Sequence, residues 1–357
     1  MKIKTLDKYI IKKFLGTYIF AILLILAIIV MFDINEKMDQ FLRAPLKATI
    51  FDYYVNYLPY MANQFSPLFT FIAVIFFTSK MADNSEIIAI LSSGVSFKRL
   101  LVPYMVSAAV IAAFTFTLDS FVIPPANVKR IEYQNKYIKD KGVDYGVNIQ
   151  LQVAPGEIAY MSRFDNRLKS AYNFSLDKFD GKVLKSRMIA STAVYDTLYR
   201  WTVKNYMIRD FNGMREEITT GSRLDTIIPI EPRDFLIAEN DHEKMTTKEL
   251  KEYIDRQKAR GVANIKSFEI EYARRYAMTA AAFILTLIGM SLSSRKVKGG
   301  MGINIGVGLV LSFSYILFMT VTSTFAISGY TSPVVAMWIP NFIYLIIGII
   351  LYRKAAV

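Results

Sequence analysis

Few residues in this 357-residue chain are suited to covalent chemistry. There is no cysteine and only one histidine, which excludes thiolate metal sites, cysteine nucleophiles and disulfide scaffolds. His242 lies in the charged run Glu239-Asn240-Asp241-His242-Glu243-Lys244, which reads as a solvated loop rather than a metal site. No glycine-rich loop leads into Lys and Ser/Thr, so the chain has no P-loop for nucleotide hydrolysis. Nor do its apolar stretches hold a central acid that could relay protons; Asp119 falls at the end of one. No catalytic residue, metal or cofactor is expected. If the protein moves something, the energy must come from another subunit.

The segment Asp83-Asn84-Ser85-Glu86 is more informative. Asp83, Asn84 and Ser85 are capping residues, and Glu86 sits where a helix dipole favours an acid. Ile87, Ile90 and Leu91 follow on one face, and Gly94 breaks the helix before Phe97-Lys98-Arg99. A short amphipathic helix of this kind either lies on a membrane surface or docks into a cleft on a separate protein.

The elements around it are membrane spans. Phe14–Phe32, Leu100–Leu118 and Tyr276–Ser294 are each 19 residues without a charge or histidine. Tyr53–Ser79 runs for 27 and Gly299–Tyr352 for 54, the latter divided by Ser328-Gly329-Tyr330-Thr331-Ser332-Pro333. A helix of 19 residues reaches roughly 28 Å, close to the ~30 Å hydrocarbon core. Pro59 and Pro67 make the front of the second run an interfacial or kinked segment, with the tighter span beginning near Ser66. Six spans account for the 53% hydrophobic composition better than a soluble core does, and they rule out a nucleic-acid reading of the +13 net charge.

Basic residues set the orientation. Lys2, Lys4, Lys8, Lys12, Lys13, Lys80, Lys98, Arg99, Arg295, Lys296, Lys298, Arg353 and Lys354 flank the spans on one side. The opposite short segments hold only Lys37, Arg43 and Lys47 beside five acids. The positive-inside rule puts both termini in the cytoplasm and the long segment after span three outside. There Pro124-Pro125 is expected to end the span, with a polar helical stretch following from Asn127 to Lys141. Val147, Ile149, Leu151 and Val153 then alternate, as do Tyr172, Phe174 and Leu176, with turn signals at Pro155-Gly156, Asp165-Asn166, Asp180-Gly181, Asn212-Gly213 and Gly221-Ser222. This pattern predicts an antiparallel sandwich, jelly roll or barrel. Thr246-Thr247-Lys248-Glu249 starts a helix expected to stop near Gly261, and a second helix leads into span four. The fold class is an α-helical membrane protein with six transmembrane helices and an inserted extracytoplasmic all-β domain between helices 3 and 4. Residues 1–123 form the first membrane part, 124–270 the inserted domain and 271–357 the second membrane part.

Taken together, Leu6-Asp7-Lys8-Tyr9-Ile10, Asp39-Gln40, Ser85-Glu86-Ile87-Ile88 and Ser93-Gly94-Val95-Ser96, with the inserted domain, resemble the lipopolysaccharide-export permease family, LptF/LptG. The likeness covers the whole chain. One departure is Thr279, where the family often has a proline early in span four. The resemblance implies one permease subunit of an ATP-driven exporter in a Gram-negative inner membrane, extracting lipopolysaccharide and passing it to a bridge of β-jellyrolls. It also implies that the inserted domain is periplasmic and jellyroll-like. Its partners would be a cytoplasmic ABC ATPase dimer, a paralogous permease, a periplasmic jellyroll protein with a single membrane anchor, and lipopolysaccharide. Other readings are a permease for another lipid or a lipoprotein, and a membrane-anchored periplasmic scaffold.

That resemblance gives the remaining residues candidate roles. Glu86, Ile87, Ile90, Leu91 and Gly94 would form the coupling helix that meets the ATPase. Lys37, Arg43 and Lys47 lie where an anionic lipid head group would sit, and Arg43 can pair phosphate bidentately. Ordinary interfacial snorkelling explains such residues equally well. Gly302, Gly306 and Gly308 leave a small-residue face in span five, suited to a lateral gate or to packing within the subunit.

Overall fold

The computed structural model describes residues 4–138, 145–213, 215–232, 241–259, 265–295 and 301–355. Lys2, Lys141, Lys296, Lys298, Glu239, Asn240 and Gly261 lie outside the described residues. The chain divides into two compact units: residues 1–138, 243–248 and 266–357, and residues 139–242 and 249–265.

The first unit is helical. Its elements are α1 (Thr5–Glu36), α2 (Met38–Arg43), α3 (Leu46–Ala48), a π-turn at Thr49–Tyr54, α4 (Val55–Gln64), α5 (Ser66–Asp83), α6 (Glu86–Ser92), α7 (Phe97–Thr117) and α8 (Ile123–Tyr133). After the inserted unit come α10 (Lys266–Ser293), α11 (Met301–Ile327) and α12 (Pro333–Ala355); α9 (Thr247–Ala259) precedes them. Among the described residues six helices are long and apolar enough to cross a membrane. The second apolar run does divide at Gln64/Phe65, with Pro67 in the first turn of α5, where its missing N–H costs no hydrogen bond.

Helix α5 is apolar all round, and 14 of its 18 residues are buried, as expected for a helix enclosed by others. Its polar side chains are satisfied there: Thr70 donates to the Ser66 carbonyl (2.9 Å), Thr78 bonds Tyr104 (3.1 Å) and Asn304 donates to Ser79 (3.2 Å). Helix α1 is equally apolar yet buries only Asp7, Ile10, Phe14, Tyr18, Ala21 and Asp33. The first five form a single stripe at helical spacing. Asn341 links the last three helices, donating to the Ala277 carbonyl (2.8 Å) and accepting from Tyr315 (2.9 Å).

Pro124-Pro125 does not interrupt the helix, and the helical stretch expected after it is present as α8. A π-turn at Leu118–Val122 widens the helix, and the prolines then occupy the first turn of α8, where proline is tolerated. The helical stretch continues to Ile138.

The second unit holds β1 (Tyr145–Ala154), β2 (Glu157–Asp165), β3 (Ser170–Asp180), β4 (Val183–Tyr195), β5 (Arg200–Asn212) and β6 (Arg215–Ile227). They form one antiparallel sheet in sequence order, an up-and-down meander. Among the described strands there is neither a second sheet nor a Greek-key crossover. Four turns fall where expected, three with a glycine at positive φ (Gly156, Gly181 and Gly213). The Gly221-Ser222 pair lies inside β6 instead. A Cβ at Gly221 would meet the Tyr206 ring at 2.7–2.8 Å, so the glycine makes room for a cross-strand aromatic.

One row crosses the whole sheet. The flanking register places Asn148 opposite Ser162, Ser162 opposite Asn173, Asn173 opposite Ser191, Ser191 opposite Asn205, and Asn205 opposite Ser222. All three asparagines are left-handed, with φ of 52°, 49° and 50°, a conformation Asn tolerates better than most residues. In β2, β3 and β4 the two-residue period breaks at this level: Met161 and Phe164 are both buried, as are Ala171 and Phe174, and Ala190 and Ala193. Below and above the row, Phe174, Met188, Trp201, Val203 and their neighbours still build one core.

Candidate functional site

The three basic residues after α1 separate into two environments. Lys37 caps α1 and is ion-paired with Asp33, four residues back. Its ammonium also donates to the Tyr53 hydroxyl (2.8 Å) and lies 5.4 and 5.7 Å from the Tyr53 and Tyr57 ring centroids. Asp33 accepts further bonds from Tyr53 and Tyr54, each at 3.1 Å. Burial, and then the Asp33 charge, push both phenols far above their ordinary range, so they act as donors. Lys37 thus belongs to an internal cluster. Arg43, at the end of α2, and Lys47 are exposed, and neither has an ion-pair partner among the described residues.

Helix α6 starts at Ser85, which adopts a left-handed conformation with φ 61° and makes no side-chain cap. The expected capping by Asp83-Asn84-Ser85 is replaced by Asn84 donating to the Glu86 carboxylate at 3.3 Å. Ile87 is 1% exposed and packs in a core with Ile10, Phe14, Phe97 and Leu100; Ile90 is half-buried against the same core. The stripe of Ile87, Ile90 and Leu91 therefore does not face outward as a whole. Ile88 (55% exposed) and Leu91 (37%) supply the outward apolar surface, and Ile87 anchors it. Gly94 ends the segment with φ 88°, a value that favours glycine.

The α11 glycines also divide. Gly302 and Gly306 face open space, whereas a Cβ on Gly308 would come within 2.2 Å of Ile75. Gly308 is thus a packing residue between α11 and α5. A second helical glycine in close contact is Gly289 of α10, where a Cβ would meet Val74 at 2.8 and 3.1 Å and Phe71 at 3.2 Å. Only neighbours in three dimensions single out Gly289. Thr279, the departure from the family's proline, bonds back to the Arg275 carbonyl at 2.9 Å, and α10 runs on unbroken.

Sequence reasoning missed a buried polar cluster in the helical unit. Arg275 (2% exposed) donates to Glu271 (3.0 Å), Thr247 (2.9 Å) and the Met245 carbonyl (3.0 Å). Arg130 donates to Asn127 (3.0 Å) and Glu243 (2.8 Å) and stacks 4.4 Å from the Tyr60 centroid. Asp119 is buried as well. Pairing makes such burial tolerable, and the bonds tie α8 and α10 to residues 243–247, where the chain rejoins this unit. The Glu271-Arg274-Arg275 spacing was the only signal in the sequence, because Glu243 stands 113 residues from Arg130.

On the β unit, an open cavity of about 650 Å³ is lined by Tyr160, Asn173, Ile189, Ser191 and Asn205, together with Arg187, whose guanidinium forks onto Asp177 at 2.8 and 2.6 Å. Among the described residues no group of His, Asp and Glu is placed to hold a metal ion.

Six apolar helices interrupted by an antiparallel sheet define a multi-pass membrane protein with an inserted β unit. The family described as lipopolysaccharide export system permease LptF/LptG matches residues 8–354. The chain belongs to that family. It is a permease component of lipopolysaccharide export, a transport protein that works in a complex with other export components. No individual curated protein matches the chain.

Proposed function

We propose that the chain is one permease subunit of an ATP-driven exporter that draws lipopolysaccharide from the inner membrane of a Gram-negative bacterium. A cytoplasmic ABC ATPase dimer docks on the α6 surface made by Ile88 and Leu91, with Ile87 and Ile90 as its footing and Glu86 and Gly94 at its ends. A paralogous permease completes the cavity. Lipopolysaccharide phosphates meet Arg43 and Lys47 after α1, while Lys37 organises the tyrosine cluster beneath them. Gly302 and Gly306 border a lateral gate. The inserted domain, residues 124–270 and periplasmic, acts as a jellyroll-like platform that hands lipid to a periplasmic partner with a single membrane anchor. The basic flanks of the spans support cytoplasmic termini.

The observation that carries this reading is the extent of the family match. It runs from residue 8 to 354 and so takes in α6, the β unit and all six spans. A photo-reactive residue at position 43, in membranes that also hold the ATPase and second permease, is the direct test. Lipopolysaccharide adducts that decline on ATP addition support it; adducts only with phospholipid or with a lipoprotein refute it.

A further inference from the structure

Two sequence motifs far apart in the chain touch at the N-terminal end of α1. Arg99 of α7 forks onto Asp7 of α1, with bonds of 2.8 and 2.6 Å. Asp7 is 4% exposed and also accepts from the Lys4 backbone N–H at 2.9 Å, so the fork reaches a carboxylate already fixed in place. Beside it, Tyr9 donates to the Glu86 carboxylate of α6 at 2.9 Å. Underneath, Ile10, Phe14, Ile87, Phe97 and Leu100 share one core. The first half of α1, all of α6 and the start of α7 are therefore joined by a bidentate ion pair, a charge-assisted hydrogen bond and apolar packing. Of these, the fork fixes orientation as well as distance.

The second half of α1 is a contrast. No residue from Ile22 to Phe32 is buried, and Leu23 and Met31 are 63% and 62% exposed. The next fixed point is Asp33, under Tyr53 and Tyr54. Helix α1 is thus gripped through its first half, more loosely packed beyond Ile22 and Ile25, which still touch the core, and gripped again at its end. Packed bodies move as units, while loosely packed segments take up the displacement.

We propose that Asp7, Tyr9 and Arg99 are positioning residues that make α6 and the first half of α1 one rigid body, so that displacement of α6 swings the loosely packed second half of α1. This rests on α6 being the surface that the ATPase moves. The residues do not touch the lipid; they set how much of each ATP-driven stroke reaches the helix beside it. Removing a link in such a chain changes coupling by about 0.5–2 kcal/mol, which is roughly two- to thirtyfold.

The absence of native cysteine makes the test direct. In the complete complex, Lys13→Cys and Ala89→Cys, both at exposed positions, carry a spin-label pair spanning the joint. The proposal expects one narrow distance, unchanged between nucleotide-free and ATP-bound states. Arg99→Ala should broaden it and lower lipid released per ATP hydrolysed by about threefold or more, with hydrolysis itself retained. Tyr9→Phe, which removes one hydroxyl from an exposed ring and leaves packing intact, should lower the same ratio by a smaller factor. The exchange Asp7→Arg with Arg99→Asp should recover part of it. An unchanged lipid-to-ATP ratio in both Arg99→Ala and Tyr9→Phe overturns the proposal, as does a 13–89 distance that shifts with nucleotide in the parent chain. Failure of the docking reading looks different: Ile88→Asp would then leave hydrolysis and co-purification of the ATPase untouched while the 13–89 distance stayed narrow.

Discussion

Lys37 is paired with Asp33 and lies 5.4 Å from the centroid of the Tyr53 ring. This one relationship divides the basic residues after α1 into an internal member and two exposed ones. An ammonium held by a carboxylate and by two aromatic faces has little left to offer a phosphate. The exposed Arg43 keeps its full fork of donors.

Opposite effects are therefore expected at the two positions. Arg43→Ala should leave thermal stability within about 0.5 kcal/mol, as exposed substitutions usually do, and reduce lipopolysaccharide crosslinking. Lys37→Met should leave Asp33 short of one partner in a buried site and destabilise the C-terminal end of α1 by about 1–3 kcal/mol. A melting measurement beside a crosslinking assay separates them. Equal loss of lipid contact with no change in melting at both sites would reject the division.

Neighbouring isoleucines of α6 make a second pair. Ile87→Asp places a carboxylate in a core 1% exposed and should cost roughly 3–5 kcal/mol, seen as low yield and early melting. Ile88→Asp puts the same charge on the surface and should leave the fold alone while abolishing co-purification of the ATPase. If Ile88→Asp retains the ATPase in full, the docking surface lies elsewhere.

Glycine spacing is a poor guide to close contact here. Gly289→Ala must push against Val74 and Phe71 and should destabilise the helical unit by about 1–3 kcal/mol. Gly302→Ala meets open space and should be neutral or slightly stabilising, since alanine favours helix. Thermal unfolding in the same detergent compares the two directly.

The asparagine row gives a test confined to the β unit. Asn173→Ala must adopt a left-handed conformation without the asparagine side chain and should cost about 1–2 kcal/mol, whereas Asn173→Gly should cost less. Trp201 is stacked on Phe174, with centroids 6.3 Å apart. In a Trp338→Phe background its fluorescence follows unfolding of this unit alone, because the chain has two tryptophans.

The spans were legible because a run of about 19 uncharged residues has few alternatives, and the strands because alternation and turn residues agreed. What escaped the sequence lies in pairings across long separations. Ile87 reads as part of an outward stripe until Ile10 and Phe14 are seen to cover it. Lys37 reads as a rim cation until Tyr53 and Asp33 close around it, and Arg275 reads as a flanking charge until Thr247 and Met245 return to meet it. The helix after the prolines at 124 and 125 was legible from its polar composition, but the π-turn ahead of them, which makes it continuous with the third span, was not. In β3 and β5 the period-two pattern hid the left-handed asparagines, which shift the buried set by one residue without ending the strand or its pairing.

The central claim, that this chain extracts lipopolysaccharide from the inner membrane, is tested most directly by depleting the protein and following newly made lipopolysaccharide by pulse labelling and membrane fractionation. The account predicts that labelled lipopolysaccharide accumulates in the inner membrane while phospholipid and lipoprotein distribution stays normal. Normal arrival of labelled lipopolysaccharide at the outer membrane after full depletion would contradict it.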